Sequence, residues 1–99
     1  MRWVAIFEDR AGALAIRDAN QEAHVAYLEA HRAQIRLAGG LRDEPGDPPQ
    51  GGLWIMDNIA DRAEAVRLVE DDPFFIAGLR ASYRLQAWGF APCYADVVL

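Results

Sequence analysis

The apolar side chains of this chain fall into four short runs that have the length and composition of β-strands. Each run is apolar or alternates apolar with polar residues, and polar or glycine- and proline-rich segments separate the runs. In the last run Tyr83, Leu85 and Ala87 share one face, and mostly polar residues share the other. The pattern predicts strands at residues 2–7, 37–42, 53–56 and 82–88.

A helical pattern separates the first two strands. At about 100° per residue, four side chains share one stripe of a helix, namely His24, Leu28, His31 and Ile35. Because the two aliphatic members of this stripe face a core, both histidines are expected to point toward the interior or its rim. The helix is predicted to run to about Leu37 and to end at Gly39 and Gly40. Residues 13–20 either begin this helix or form a separate turn before it.

Two further helical segments precede the last strand. Asp61, followed three residues later by a glutamate, is a capping-box pattern that predicts a helix over residues 62–70. Asp72 and Pro73 predict a second, short helix, with the aspartate as N-cap and the proline at the first helical position. Gly78 is expected to end that helix.

The order of these elements predicts an α+β fold of the ferredoxin-like βαββαβ type, an antiparallel sheet with its helices on one face. The 99 residues have the size of one domain, so residues 1–99 are expected to form a single unit with residues 90–99 as a C-terminal extension. That extension is either an edge strand or a tail packed on a partner. The uncovered face of the sheet requires a cover, which predicts a homodimer or a higher homo-oligomer.

Composition excludes several classes of function. The net charge is −5, there is no lysine, and no cluster of arginines provides the basic patch of a nucleic-acid-binding protein. No apolar run approaches the ~20 residues of a membrane span, and the N-terminus lacks the layout of a signal peptide. The single cysteine, Cys93, rules out an intrachain disulfide. A soluble, cytoplasmic protein is therefore expected.

Six segments follow one another along the chain: residues 23–28 (AHVAYL), 38–41 (AGGL), 52–55 (GLWI), 61–65 (DRAEA), 72–79 (DPFFIAGL) and 83–88 (YRLQAW). Together they resemble the YciI-like family (YCII-related domain), over about residues 1–89. The resemblance implies a ferredoxin-like dimer related to the dimeric α/β barrels, with a pocket near the subunit interface. It also implies a His–Asp pair, which falls on His24 and Asp72.

The resemblance predicts the fold more specifically than it predicts the function. One branch of the family resembles dehydrochlorinases of aromatic catabolism. The family often has Ala-Gly-Pro where this chain has Ala-Gly-Gly at residues 38–40, so the mouth of the pocket is expected to differ in shape. Residues 90–99 extend beyond the usual end of the family domain.

A histidine beside a carboxylate is a general acid/base unit, because the carboxylate fixes the ring tautomer and stabilises the imidazolium. With His24 and Asp72 in these roles, the predicted activity is that of a cofactor-independent lyase, isomerase or dehydrochlorinase-like enzyme acting on a small organic substrate. No phosphate loop or dinucleotide-binding glycine pattern is present, so no cofactor is expected. The candidate substrate-binding residues are Arg17, Tyr27, Phe74 and Tyr83.

The same residues have simpler interpretations. His24 is alternatively a core-edge histidine bonded to a backbone carbonyl, while backbone amides occupy the carboxylate of Asp72 as a helix cap. His31 is expected to be structural, either hydrogen-bonded or at an interface, and Cys93 is expected to be an inert thiol. The two histidines are separated by about 10 Å along a helix, too far to share one metal ion, so no metal site is expected.

Two non-catalytic functions also fit the sequence. One is a small-molecule-binding or regulatory dimer that uses the same aromatic pocket. The other is an accessory subunit whose pocket is filled by side chains, with no cavity of roughly 300 Å³. Enclosure of His24 away from every cavity would contradict the enzymatic hypothesis.

Overall fold

The computed structural model describes residues 1–99 and has a ferredoxin-like fold, as predicted. Four antiparallel strands form one sheet in the order β2-β3-β1-β4. The strands are β1 (Arg2–Asp9), β2 (Ile35–Leu41), β3 (Gly51–Met56) and β4 (Arg80–Trp88). Three helices accompany them, α1 (Leu14–Ala30), α2 (Arg62–Glu70) and α3 (Pro73–Ile76). Because β2 and β4 are free edges, the sheet of one chain is open and forms no closed barrel.

The hydrophobic core lies between the sheet and the helices. Alternation along β1 directs Trp3, Ala5 and Phe7 toward the helices, where they meet Trp54 and Met56 from β3. These last two side chains are at most 1% exposed. Large apolar side chains buried in this way contribute about 1.5–3 kcal/mol each to stability, so the two central strands anchor the fold.

No helix is both long enough and apolar enough to cross a membrane.

The predicted end of the first helix is wrong. Helix α1 stops at Ala30, seven residues before the expected position, and Ile35 already belongs to β2. The His31 side chain and backbone amide both bind the carbonyl of Tyr27, which closes the last turn. Ile35 is 4% exposed and pairs with Met56, so burial in the sheet outweighs the helical pattern in this region. Gly39 and Gly40 therefore lie within a strand.

The other helices follow their predicted signals. Asp61 Oδ1 accepts a hydrogen bond of 2.9 Å from the amide of Glu64 and caps α2 as the capping-box pattern indicates. Helix α3 begins at Pro73. Gly78 has a φ of 81°, a left-handed conformation that favours glycine, and the chain turns there into β4.

The C-terminal extension forms no strand within the chain. After β4 it contains one turn of 3₁₀-helix, Pro92–Tyr94. Arg36 Nη2 donates a hydrogen bond of 2.6 Å to the backbone oxygen of Leu99, which brings the last residue to the start of β2. The extension therefore runs from the β4 edge of the sheet to the β2 edge.

The face of the sheet away from the helices, here called the open face, is apolar at its centre. The residues that alternate onto it are Val4, Ile6, Leu37, Leu41, Leu53 and Ile55. The two β2 leucines are 56% and 41% exposed. An uncovered apolar surface of this kind is typical of a protein interface.

Gly51→Ala is expected to destabilise the fold strongly. A Cβ atom at this position would lie 2.1 Å from the carbonyl oxygen of Phe7, so β3 would have to move away from β1. We expect the free energy of unfolding to fall by about 3 kcal/mol, the upper part of the range for overpacking. The measurement is urea unfolding, with Gly89→Ala as the control because no atom lies within 4 Å of its Cβ position. Equal stabilities of the two variants would contradict this description of the β1–β3 contact.

Candidate functional site

His24 and Asp72 are in direct contact in the interior. Helix α1 carries the histidine, and the aspartate immediately precedes α3. His24 Nδ1 and Asp72 Oδ1 are 2.7 Å apart, and the two side chains are 10% and 1% exposed. The ring of Phe74 stacks on the imidazole with a centroid distance of 3.8 Å and an interplanar angle of 12°. Asp72 therefore holds one edge of the imidazole, and the ring of Phe74 holds one of its faces.

The carboxylate of Asp72 is not used as a helix cap. The residue occupies the N-cap position of α3, but its side chain accepts no hydrogen bond from a backbone amide. Oδ1 binds His24, and Oδ2 is buried with no hydrogen-bond partner. The alternative in which backbone amides occupy this carboxylate is therefore wrong.

This contact determines which ring nitrogen is available. An ionised Asp72 accepts only, so the proton of a neutral His24 ring lies on Nδ1 and Nε2 carries the lone pair. Nε2 makes no hydrogen bond within the chain. His24 lines a cavity of about 190 Å³ between α1 and the β2–β3 end of the sheet. The imidazole is thus open to a small molecule in that cavity.

Two arginines reach the same cavity and share one carboxylate. Arg17 Nη2 lies 2.6 Å from Asp9 Oδ2, and Arg80 Nη1 lies 2.7 Å from Asp9 Oδ1. Arg17 Nη2 also donates to the carbonyl of Gly51 at 3.3 Å. Burial lowers the pKa of Arg80, and the hydrogen bond to Asp9 opposes that effect. These two guanidinium groups and one carboxylate carry a single net positive charge, which the nearby carboxylate of Asp72 balances.

An irregularity in the sheet turns Arg80 inward. The register between β1 and β4 shifts between Glu8 and Asp9, so that Ser82 opposes Glu8 but Arg80 opposes Asp9. The extra β4 residue in between reverses the alternation that would otherwise direct Arg80 to the open face. Bulges commonly re-aim a side chain in this way. Simple alternation along residues 82–88 therefore does not identify Arg80, and this residue is absent from the candidates predicted from sequence.

Glycines border the remaining part of the cavity. Its wall includes Gly39, Gly40, Gly51 and Gly52, together with Trp54. Its volume in one chain is below the ~300 Å³ typical of ligand sites. A larger cavity of about 610 Å³ lies on the other side of Arg17, but neither histidine lines it.

Of the four predicted substrate-binding residues, only Arg17 lines the His24 cavity. Phe74 is fully buried beneath the imidazole and does not line the cavity. The Tyr27 hydroxyl donates to the carbonyl of Leu68 at 2.7 Å, and the Tyr83 hydroxyl lies 3.3 Å from Glu70. Neither tyrosine lines the cavity.

The other candidate residues lie apart from this site. His31 caps α1 and binds a backbone carbonyl through Nδ1 at 2.8 Å. Cys93 is exposed in the C-terminal extension. No group of three or more histidine, cysteine, aspartate or glutamate side chains is placed to hold a metal ion.

This chain is similar in sequence and fold to known proteins. The family model of the YCII-related domain matches residues 1–89. A solved structure of 5-chloro-2-hydroxyhydroquinone dehydrochlorinase from Burkholderia phenoliruptrix AC1100, in complex with 2,5-dihydroxybenzoquinone, has a TM-score of 0.83 and 34% sequence identity. The alignment covers 92% of this chain and 96% of that chain. No curated protein sequence matches significantly.

Two further solved structures share the fold at lower identity. A protein from Agrobacterium tumefaciens is 16% identical, with a TM-score of 0.51 and coverage of 93% of this chain and 95% of that chain. A dimeric protein of unknown function and ferredoxin-like fold from Bacteroides fragilis NCTC 9343 is 20% identical, with a TM-score of 0.50 and coverage of 90% and 94%.

Raising the pH above 10 is expected to weaken the fold through Tyr27. Burial, and then the charges of Asp71 and Asp72, raise the pKa of its hydroxyl from 10.0 to about 12. The unfolded chain therefore loses this proton first, so the contribution to stability is complete below pH 10.0 and is lost as the pH rises toward about 12. Tyr27→Phe is expected to make this decline shallower, as measured by urea unfolding across this range of pH.

Tyr27→Phe also removes the hydrogen bond to Leu68, which is worth about 1 kcal/mol below pH 10. Part of the decline is expected to remain, because burial and the charge of Glu70 raise the pKa of Tyr83 as well. The same pH dependence in the variant and the wild type would show that Tyr27 does not titrate as described.

Proposed function

We propose that this chain, which belongs to the YCII-related domain family, is an acid/base enzyme acting on a small organic molecule. The observation that supports the proposal is the His24–Asp72 contact of 2.7 Å, with the second imidazole nitrogen open to a cavity. The similarity to a dehydrochlorinase with a bound dihydroxybenzoquinone supports a catalytic role on a small molecule. We propose elimination of a halide from a small hydroxylated ring.

In the proposed elimination the substrate reacts as its keto tautomer, in which the carbon that bears chlorine also carries a hydrogen and is tetrahedral. His24 Nε2 accepts a proton from a hydroxyl group conjugated with that carbon. The electron pair of the broken bond moves into the ring system. The C–Cl bond then breaks and its pair leaves with chloride, so the net change is loss of HCl. The imidazolium returns its proton to water. Because the step consumes no oxidant or reductant, we propose that the reaction needs no cofactor.

The charges around the cavity suit this step. Two guanidinium groups and two carboxylates lie around it, and their formal charges cancel while the imidazole is neutral. The charged residues are Asp9, Arg17, Asp72 and Arg80. When His24 accepts a proton, the site gains one positive charge, which the developing oxyanion of the substrate offsets. Ionised Asp72 stabilises the imidazolium at the same time.

The proposed enzyme is a homodimer built through the open face. A shallow groove of about 210 Å³ on that face shares Ala38, Gly39 and Gly40 with the wall of the His24 cavity. A second copy of the chain over the groove would therefore close the mouth of the cavity. Such a subunit would enlarge the enclosed space beyond the 190 Å³ of a single chain.

Leu37→Asp is expected to separate the proposed dimer. The side chain lies on the open face and is 56% exposed, so a charge there leaves the core of one chain intact. Light scattering after size exclusion should give twice the 11.0 kDa chain mass for wild type and one chain mass for the variant. Ile76→Asp is the control, since Ile76 is 73% exposed on α3. A monomeric wild type, or a variant of unchanged mass, would contradict the proposed interface.

His24→Gln is expected to lower kcat by about 10²–10⁴, the contribution of a general acid/base. The assay is chloride release from 5-chloro-2-hydroxyhydroquinone, followed with the wild-type dimer. Asp72→Asn is expected to lower kcat as well, because the amide no longer fixes the Nδ1–H tautomer. His31→Gln is the matched control, because this histidine lies at the end of the same helix and outside the cavity.

Binding separates the catalytic proposal from a ligand-binding function. Calorimetry with 2,5-dihydroxybenzoquinone is expected to show binding to wild type and to His24→Gln alike. Binding without any turnover in the wild type would favour a non-catalytic binding dimer. Turnover that survives His24→Gln would exclude this residue as the base.

A further inference from the structure

We infer that Arg80 is the anion-binding residue of the His24 cavity and that the ligands it selects are small planar oxyanions, such as phenolates and enolates. This inference rests on the proposed function and deepens it by naming the class of substrate. The residue was not among the candidates from sequence. It lines the cavity together with His24, and its side chain is 3% exposed.

The hydrogen bonds of Arg80 are incomplete within the chain. Nη1 donates to Asp9 at 2.7 Å, while Nε is buried without a partner and Nη2 makes no hydrogen bond to the protein. Buried donors are costly when they are left unsatisfied. The neighbouring Arg17 also has a buried Nε without a partner, but its Nη2 donates to both Asp9 and the Gly51 carbonyl. Arg80 Nη2 therefore lacks an acceptor within the chain, whereas Arg17 Nη2 has two.

The guanidinium of Arg80 is held in place. It lies over the ring of Phe7 at 4.3 Å and over that of Phe74 at 5.3 Å. Cation–π contacts on these rings and the charged hydrogen bond to Asp9 keep the group from turning toward solvent. Phe74 also stacks on His24, so one buried ring supports both the proposed base and the anion-binding residue.

Space beside the guanidinium is kept open by a glycine. A Cβ atom on Gly52 would lie 3.4 Å from Arg80 Nη2, 3.5 Å from Nη1 and 3.3 Å from the carbonyl oxygen of Gly39. Any side chain there would occupy the position from which an acceptor approaches Arg80. A glycine at such a position is typical of close approach by a ligand.

These contacts define a two-point site. An oxyanion on the ligand accepts from Arg80 Nη2, and a proton elsewhere on the same ring system is offered to His24 Nε2. A ligand with a delocalised charge on a flat ring meets both groups. A neutral ring of the same shape lacks the acceptor charge that Arg80 selects.

The test measures selectivity between two ligands by calorimetry. The probes are 2,5-dihydroxybenzoquinone with an ionised hydroxyl and its neutral dimethoxy analogue. Arg80→Met is expected to weaken binding of the ionised probe by about 30-fold, the worth of a hydrogen bond to a charged group, and to leave binding of the neutral probe unchanged. Arg67→Met is the control, because it removes a charge from an exposed position on α2.

A purely structural role for Arg80 would give a different result. Loss of folding or of cavity shape lowers the affinity for both probes alike, and an unchanged ratio of the two affinities would overturn the inference. Gly52→Ala retains every charge and is expected to weaken binding of the ionised probe. Full affinity of that variant for the ionised probe would also contradict the proposed position of the ligand.

The outcomes separate this inference from the proposed enzyme function. If selectivity depends on Arg80 but no chloride is released, the anion site is supported and the catalytic role is contradicted. If turnover depends on His24 but selectivity does not depend on Arg80, the catalytic role is supported and the anion site is contradicted.

Discussion

The buried hydrogen bond between His24 and Asp72 is the interaction on which the site depends. It joins α1 to the start of α3 across 48 residues of sequence. An ionised carboxylate this deep costs several kcal/mol unless it is paired, and its second oxygen has no partner. The imidazole is its one hydrogen-bond partner, and the charge of Arg80 also acts on it. The stacked ring of Phe74 completes the arrangement, so the histidine is held with one nitrogen toward the carboxylate and the other free.

A second constraint acts from the sheet. The register shift after Glu8 brings Arg80 to the helix-facing side, where Asp9 binds it and Arg17 together. This places two guanidinium groups beside the same cavity that His24 lines. The proposed proton transfer and the proposed anion binding thus depend on two separate features of the fold, one made by the helices and one by a local irregularity of β4.

The sequence predicted the architecture better than the site. Alternation and capping signals located four strands and both later helices, because those patterns reflect local geometry. They failed at Ile35, where pairing with β3 buries a residue that also fits a helical stripe. The contact between His24 and Asp72 followed from family resemblance, since no periodicity relates residues so far apart. Arg80 could not be predicted, because a single sequence does not reveal which residue a bulge turns inward.

The tautomer of His24 tests the central claim most directly. Long-range ¹H–¹⁵N correlation spectra of the two imidazoles, recorded where the rings are neutral, show which nitrogen carries the proton. The hydrogen bond to Asp72 requires a protonated Nδ1 and a bare Nε2 in His24, and a shift at Nε2 when 2,5-dihydroxybenzoquinone binds. A proton on Nε2 in the free protein would contradict the assignment of this nitrogen as the base.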